Sequence, residues 1–350
     1  MSQQSDFPDD PTGSAEPDGY MLPANLRKED HDRLNLQHEI WRTLLNGLCP
    51  VSKTELDDLL KPTAAVPIPA VLDVGCGSGI WCLDMAHAYP HAKVVGFDLT
   101  QCSPSFVQGS VLDGLGQFYG KFALVHWRTV LIHIAPDKQM WAIDELSEPG
   151  GLLIISDWDE IFVDEHRKRL PAAKDVPDDE APSSWMARIT NEIFKRDDPM
   201  DSILRFQIHN ALQGNAVVDK ESLRMSVYHI PVGWDGGDIE NGETLGKMAT
   251  IDFLDVSARF KLVFASRGVP ANVIENWAHH LDSEIRGERQ RIMSRPETEW
   301  RGTYSKEDMP ESLFIDEIDH WYATAAAGWL HFSNPNRHRM NLARDESRLV

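Results

Sequence analysis

The sequence contains no run of about 18 apolar residues, so no segment reads as a membrane-spanning helix and no membrane partner is expected. Its opening stretch, MSQQSDFPDDPTGSAEPDGY, lacks both a basic start and an apolar core, and export by a signal peptide is not expected. Cysteine is scarce. The four present (Cys49, Cys76, Cys82, Cys102) show neither a CxxC nor a His/Cys ligand spacing, which argues against a structural zinc site. Without a secretory signal they read as reduced thiols, in the cytoplasm or alternatively the nucleus. Positive charge is in deficit, with 34 Lys and Arg against 55 Asp and Glu for a net charge of −21. So acidic a body repels phosphate backbones, and direct binding of nucleic acid is disfavoured. The same excess also serves plain solubility. A small or neutral acceptor fits better.

What is present is the composition of an ordinary globular protein, 42% hydrophobic and 25% charged. At 350 residues it can form one elaborated domain or two small ones. Residues 1–22 are rich in Asp, Pro, Ser and Gly and read as a disordered acidic arm. Leu36, Ile40, Trp41, Leu44, Leu45 and Leu48 recur at helical spacing, and that helix should stop near Asn46-Gly47. A proline-punctuated connector, 61–69, follows.

Short apolar runs then alternate with helical stretches. AVLDVG (70–75), KVVGFDL (93–99), FALVHW (122–127) and GLLIISDW (151–158) read as buried strands, with 105–110 as a further short one. A helix over 80–90 ends at Pro90, and another starts near Asp137. Such alternation implies a mostly parallel sheet covered by helices on both faces, an α/β fold of Rossmann-like type. Residues 160–222 read as mostly helical with a charged lead-in at 164–182, and 223–232 as a strand. Long helices are expected over 244–266 and 270–288, broken at Arg267-Gly268-Val269-Pro270.

The segment with chemistry is Val71-Leu72-Asp73-Val74-Gly75-Cys76-Gly77-Ser78-Gly79, a strand running into a glycine turn that opens a helix. Bare glycines let a ligand approach the backbone at a helix N-terminus. A dinucleotide fingerprint would carry its third glycine at position 80, which is Ile80 here. Asp73, two residues before the first glycine, would repel a pyrophosphate but suits a ligand bearing an ammonium and a sulfonium. S-adenosylmethionine bears both. Asp98 ends the next strand, where an acid accepts from ribose hydroxyls, with Leu99 beside it. The expected cofactor-binding set is Asp73, Gly75, Cys76, Gly77, Gly79, Asp98, Leu99 and Ser110, and no metal is expected.

At these residues the chain resembles the LaeA-like methyltransferases of fungal secondary metabolism. Asp32-Arg33-Leu34-Asn35-Leu36-Gln37-His38 is similar to that family's DRLxLQH signature. Gly79-Ile80-Trp81-Cys82-Leu83-Asp84-Met85-Ala86 with Tyr89-Pro90 resembles its GIWxxDxAxxYP stretch, and Val95 to Leu99 its V-G-x-D-L strand. Val125-His126-Trp127-Arg128 and Glu148-Pro149-Gly150-Gly151 resemble its IHxR strand end and KPGG turn. The resemblance implies a class I methyltransferase fold over 23–295, with the cofactor half at about 60–160 and helical cover at about 160–222 and 240–290. It also implies S-adenosylmethionine as cofactor and work in or near secondary metabolism, as a tailoring enzyme or as a nuclear regulator with protein partners. The chain departs from the pattern in two places. The span between Asp98 and His126 is short, with Ser110 where an acid is expected near the adenine and Asp113 a poor substitute. Residues 296–350 form an atypical extension in which only 320–332 could supply the family's final strand.

Methyl transfer from a sulfonium needs mainly proximity and alignment, and a hydroxyl acceptor benefits from a base. His126, read as lying at a strand's carboxyl end, is the first choice and His133 the second, with backbone bonding the competing role for His126. Arg128 could anchor a carboxylate or pair with local acids. Trp158, Trp185, Tyr228 and Trp234 are expected near the site as a lid for a planar acceptor, with at least half of them core residues. The favoured function is O-methylation of a small molecule. Nicotinamide oxidation ranks far behind.

Overall fold

A computed structural model of the chain describes residues 28–100, 106–118, 121–134, 138, 151–159, 162–175, 182–194, 208, 212 and 223–287, with the backbone of 324–331. The expected arm at 1–22, the body of the helix expected after Asp137, and most of 296–350 lie outside the described residues.

Strand β1 (Ala70–Val74) is buried along almost its whole length, as a strand covered on both faces must be. It pairs in parallel with β2 (Lys93–Asp98) on one side and β4 (Leu124–Arg128) on the other. The two-residue β3 (Val107–Gln108) extends the sheet beyond β2, and β5 (Leu152–Asp159) lies parallel to β4. Alternation along these strands divides the core in two. Leu72, Val74, Phe97, Trp127, Leu153 and Ile155 face one side, while Val71, Leu124 and Ile154 face the other with Trp81 and Met85 of α3 (Ile80–Ala88). Each such side chain contributes roughly 1.5–3 kcal/mol by leaving water.

The short span after β3 holds two 3₁₀ turns, Val111–Asp113 and Gly116–Phe118. They plug the sheet with Val111 and Leu115, so the chain returns to β4 with little length.

Beyond β5 the sheet turns antiparallel. β6 (Leu223–His229) does not pair with β5. Instead β7 (Thr324–His331) is inserted between them, giving the order β3-β2-β1-β4-β5-β7-β6. The segment 320–332, which could supply a final strand, does so over 324–331 and brings part of the apparent C-terminal extension into the sheet.

Helix α1 (Lys28–Leu45) stops at Asn46, which takes a left-handed φ of 49° as expected for the Asn-Gly pair. A short α2 (Lys53–Leu59) is capped by Ser52. The long helices α5 (Gly242–Ser266) and α6 (Ala271–Ile285) break at Gly268 and Pro270, as read. Within 160–222 the described residues are an irregular segment, 162–175, which falls mostly in the expected charged lead-in, and helical residues after it. Residues 162–175 are irregular, held by single bridges Val163↔Arg169 and Ala172↔Ser184, and α4 (Trp185–Phe194) is a regular helix. The Asp164 carboxylate accepts from His166 and Lys168 amides, a local turn that competes with helix, and Pro171 cannot continue one. Among the described residues no helix is long and apolar enough to cross a membrane.

Candidate functional site

The glycine turn leaves the carboxyl end of β1 and joins it to β2. Gly75 and Cys76 both donate to the Phe97 carbonyl, at 2.7 and 3.1 Å, and Gly79 donates back to Cys76. Gly75, Gly77 and Gly79 have φ of 68°, 53° and 77°, a region open to glycine and costly for other residues. Asp98 pins the bend. Its Oδ2 accepts the Gly77 amide at 2.8 Å and its Oδ1 accepts from the Thr100 amide and hydroxyl. Leu99 follows, its carbonyl accepting from Gln108.

On their Cβ side these glycines face the protein's own side chains. A Cβ on Gly79 would come within 2.1 Å of the Phe106 ring, one on Gly75 within 2.3 Å of Val130, and one on Gly77 at 3.0 Å from the tip of Leu34. Bareness here serves backbone conformation and packing of the protein's own side chains. An open volume lies one strand further out. A cavity of about 620 Å³ is lined by Phe97, Gly109, Ser110, Asp113, Gly114, Gly116 and Gln117, next to the ends of β2 and β3. Its size falls in the range of small-molecule sites. Ser110, whose hydroxyl caps the following turn by accepting from Leu112, and Asp113 thus share the wall where one acid was expected.

Asp73 also departs from its expected part. It is 3% exposed and turned towards β4. The His126 Nδ1–H donates to Oδ1 at 2.7 Å, and the Cys82 thiol donates to Oδ2 at 3.4 Å. The cause is register: Asp73 and His126 are paired positions on neighbouring strands and face the same side. His126 therefore sits in the middle of β4 rather than at its end. Its ring stacks on Trp81 with centroids 3.9 Å apart and planes 6° from parallel. Burial holds its pKa below the ordinary value despite the neighbouring carboxylate. As placed, it braces Asp73 and is closed off from an acceptor.

His133 is differently placed. It ends a 3₁₀ turn, Leu131–His133, just past β4 and is half-buried. Burial first, and the Arg33 charge second, push its pKa down to about 4. The turn is held by Asp157 at the end of β5, whose Oδ2 accepts amides of Val130, Leu131 and Ile132 at 3.1, 2.8 and 3.3 Å. Its Oδ1 accepts the Trp158 amide, and burial pushes the Asp157 carboxyl up to about 7 against the pull of these donors. Sequence reasoning missed Asp157, although an acid closing an apolar strand was a visible signal.

It also missed the polar seams of α1. Arg33 lies 3.7 Å from Asp252 of α5, and Gln37 donates to the same carboxylate at 3.1 Å. His38, fully buried, meets Asp84 of α3 at 3.0 Å, and Arg42 reaches the same Asp84 at 3.2 Å. These contacts hold α1 across the glycine turn. The expected aromatic lid separates into distinct roles. Trp185 is 4% exposed, stacks on His280 and belongs to the core between α4, α5 and α6, so it is no substrate contact. Trp158 packs edge-on to Trp41 and Phe253, and Tyr228 joins the same cluster between α1 and α5. Trp234 lies in the turn before α5, where its carbonyl faces Gly246. Cys76 is buried in the bend, against Gly96.

Residues 52–197 match the family described as "Methyltransferase domain". Over 160 residues the chain is 31% identical to the "Secondary metabolism regulator laeA" of Coprinopsis cinerea, covering 43% of this chain and 38% of that protein. Over 151 residues it is 30% identical to "Methyltransferase str3" of Strobilurus tenacellus, covering 41% and 50%. The chain thus spans half or less of the length of these two curated relatives. Among solved structures, the phosphoethanolamine N-methyltransferase 2 of Haemonchus contortus aligns over 89% of this chain and 62% of its own, with a TM-score of 0.39 and 11% identity. A likeness that loose says nothing about substrate. S-adenosylmethionine is the cofactor that suits this domain. Residues 52–197 thus match a methyltransferase domain, the sheet is Rossmann-like, and the chain is similar to LaeA regulators and to a named methyltransferase.

Proposed function

We propose that the chain is an S-adenosylmethionine-dependent methyltransferase acting on a small-molecule acceptor in secondary metabolism, with oxygen the favoured methyl acceptor. The reading is carried by the join of Asp98 to the Gly77 amide at the carboxyl ends of β1 and β2, directly beside an open cavity. Ligands in open α/β sheets collect at such ends.

Asp98 and Leu99 would hold the ribose side, and Ser110 with Asp113 the base. When bound, the cofactor supplies a methyl group on a sulfonium with its leaving group already in place. The chain then has to bring an acceptor into line and keep water out. His133, held neutral, is suited to accept a hydrogen bond from an acceptor hydroxyl and so orient it. Its low pKa makes it a weak proton store. Arg33, Gln37 and Asp252, joined between α1 and α5, would supply a polar roof, and Trp158 and Tyr228 an apolar flank. The methyltransferase unit is taken as 23–295 completed by β7, working in the cytoplasm.

A second reading, a nuclear regulator acting through protein partners, draws on the names of the LaeA relatives. Calorimetry with S-adenosylmethionine, S-adenosylhomocysteine and NAD tests the cofactor. Binding of the first two and not the third is expected, and NAD binding alone overturns the proposal. Incubation with labelled cofactor and a metabolite extract separates the two readings, since a tailoring enzyme labels a small molecule.

A further inference from the structure

The end of β4 carries a cation that has no anionic partner among the described residues. Arg128 is half-buried, and among the described residues its guanidinium makes no hydrogen bond and no ion pair. The acids on that face of the sheet are already engaged. Asp73 is held by His126 and Cys82, and Asp84 by His38 and Arg42. Strand alternation puts Arg128 on the face of His126, one step nearer the carboxyl end. Burial lowers its pKa, with the charge of Asp73 opposing this, and the Arg128 charge in turn lowers the pKa of buried His38. Among the described residues the buried Nδ1 of His38 has no hydrogen-bond partner. A partly desolvated guanidinium beside an unsatisfied ring nitrogen is costly unless something anionic arrives.

The place of Arg128 in the sheet indicates what arrives. Val74 pairs with Trp127, so Arg128 lies beside Gly75 at the start of the bend. The strand order β3-β2-β1-β4 places the cavity, Asp98, the glycine turn and Arg128 in succession. Three strand spacings cover about 14 Å, a span suited to an extended nucleoside joined to an amino acid. We infer that Arg128 is the anchor for the carboxylate of the cofactor's amino-acid end, paired with it through the planar fork that matches a carboxylate. The inference rests on the cofactor reading above. Arg is the residue suited to the task because its fork makes two parallel bonds.

The test compares S-adenosylhomocysteine with S-adenosyl-3-thiopropylamine, which lacks only the carboxylate, by calorimetry on the full chain. The natural chain is expected to prefer the carboxylate ligand tenfold or more, as a charge-assisted bond implies. Arg128→Met is expected to abolish that preference while binding the decarboxylated ligand unchanged, and Arg128→Lys to keep part of it. Retained affinity for the decarboxylated ligand also shows that the variant folds. Equal weakening towards both ligands, or an undiminished preference in Arg128→Met, overturns the assignment. The second result moves Arg128 to an acceptor carboxylate. Failure of the natural chain to bind either ligand overturns the cofactor reading itself, and is thereby distinguishable.

Discussion

At the residue scale, the molecule turns on how two buried carboxylates are satisfied. Asp73 depends on His126, and both are nearly inaccessible to water. Removing one partner of such a pair leaves the other buried and uncompensated, at a cost of about 3–5 kcal/mol. His126→Ala is therefore expected to lower unfolding stability by that order in urea titration, and a loss under about 1 kcal/mol would contradict the bracing role. His133 gives a pH signature. Its pKa in the folded chain is about 4, below the ordinary 6.5, so its contribution to stability is present above pH 6.5 and is lost as pH falls towards 4. Asp157, pushed up to about 7, acts with the opposite sign, its contribution waning as pH rises from about 3.8. The two overlap, so the measurement is a difference. Melting temperature followed from pH 7 to pH 4.5 should fall less in His133→Asn than in the natural chain. Equal slopes would count against the neutral histidine.

At the scale of elements, glycines decide how closely α5 approaches the turn that precedes it. A Cβ at Gly246 would lie 1.9 Å from the Trp234 carbonyl oxygen, a backbone atom that cannot swing aside. Gly246→Ala is expected to cost about 1–3 kcal/mol through displacement of α5, despite the better helix propensity of alanine. A stabilised variant on thermal melting would show that the turn yields. The same displacement would disturb Asp252 and the contact of α1 with α5. Helix α1 itself was legible as an amphipathic pattern, but its bonding to Asp84 and Asp252 was not. Those partners are 46 and 215 residues away along the chain.

At the scale of the whole molecule, the sheet is completed by a strand from near the C-terminus. β7 pairs along its length with β5 on one side and β6 on the other. Truncation after residue 295 removes it and exposes the backbone edges of both neighbours. Exposed edges favour pairing between copies. The truncated chain is expected to aggregate, read by light scattering, and to lose cooperative unfolding. A monomeric, cooperatively folding product would contradict the placement of β7.

The α/β class, the strands β1, β2, β4 and β5 and the bend Gly75–Gly79 were determined by the sequence itself. Apolar runs, glycine spacing and punctuation by proline are local properties, and local steric rules suffice to interpret them. Register was beyond their reach. Only the folded sheet set Asp73 opposite His126, which turned an expected cofactor contact and an expected base into a buried pair. Only the strand order inserted 324–331 between β5 and β6, and only three-dimensional packing filled the space over Gly79 with Phe106 and left Arg128 without a hydrogen bond or ion pair among the described residues. The reason is physical: a side chain's partner across a sheet depends on pairing between distant segments, and a shift of one residue sends every side chain to the opposite face.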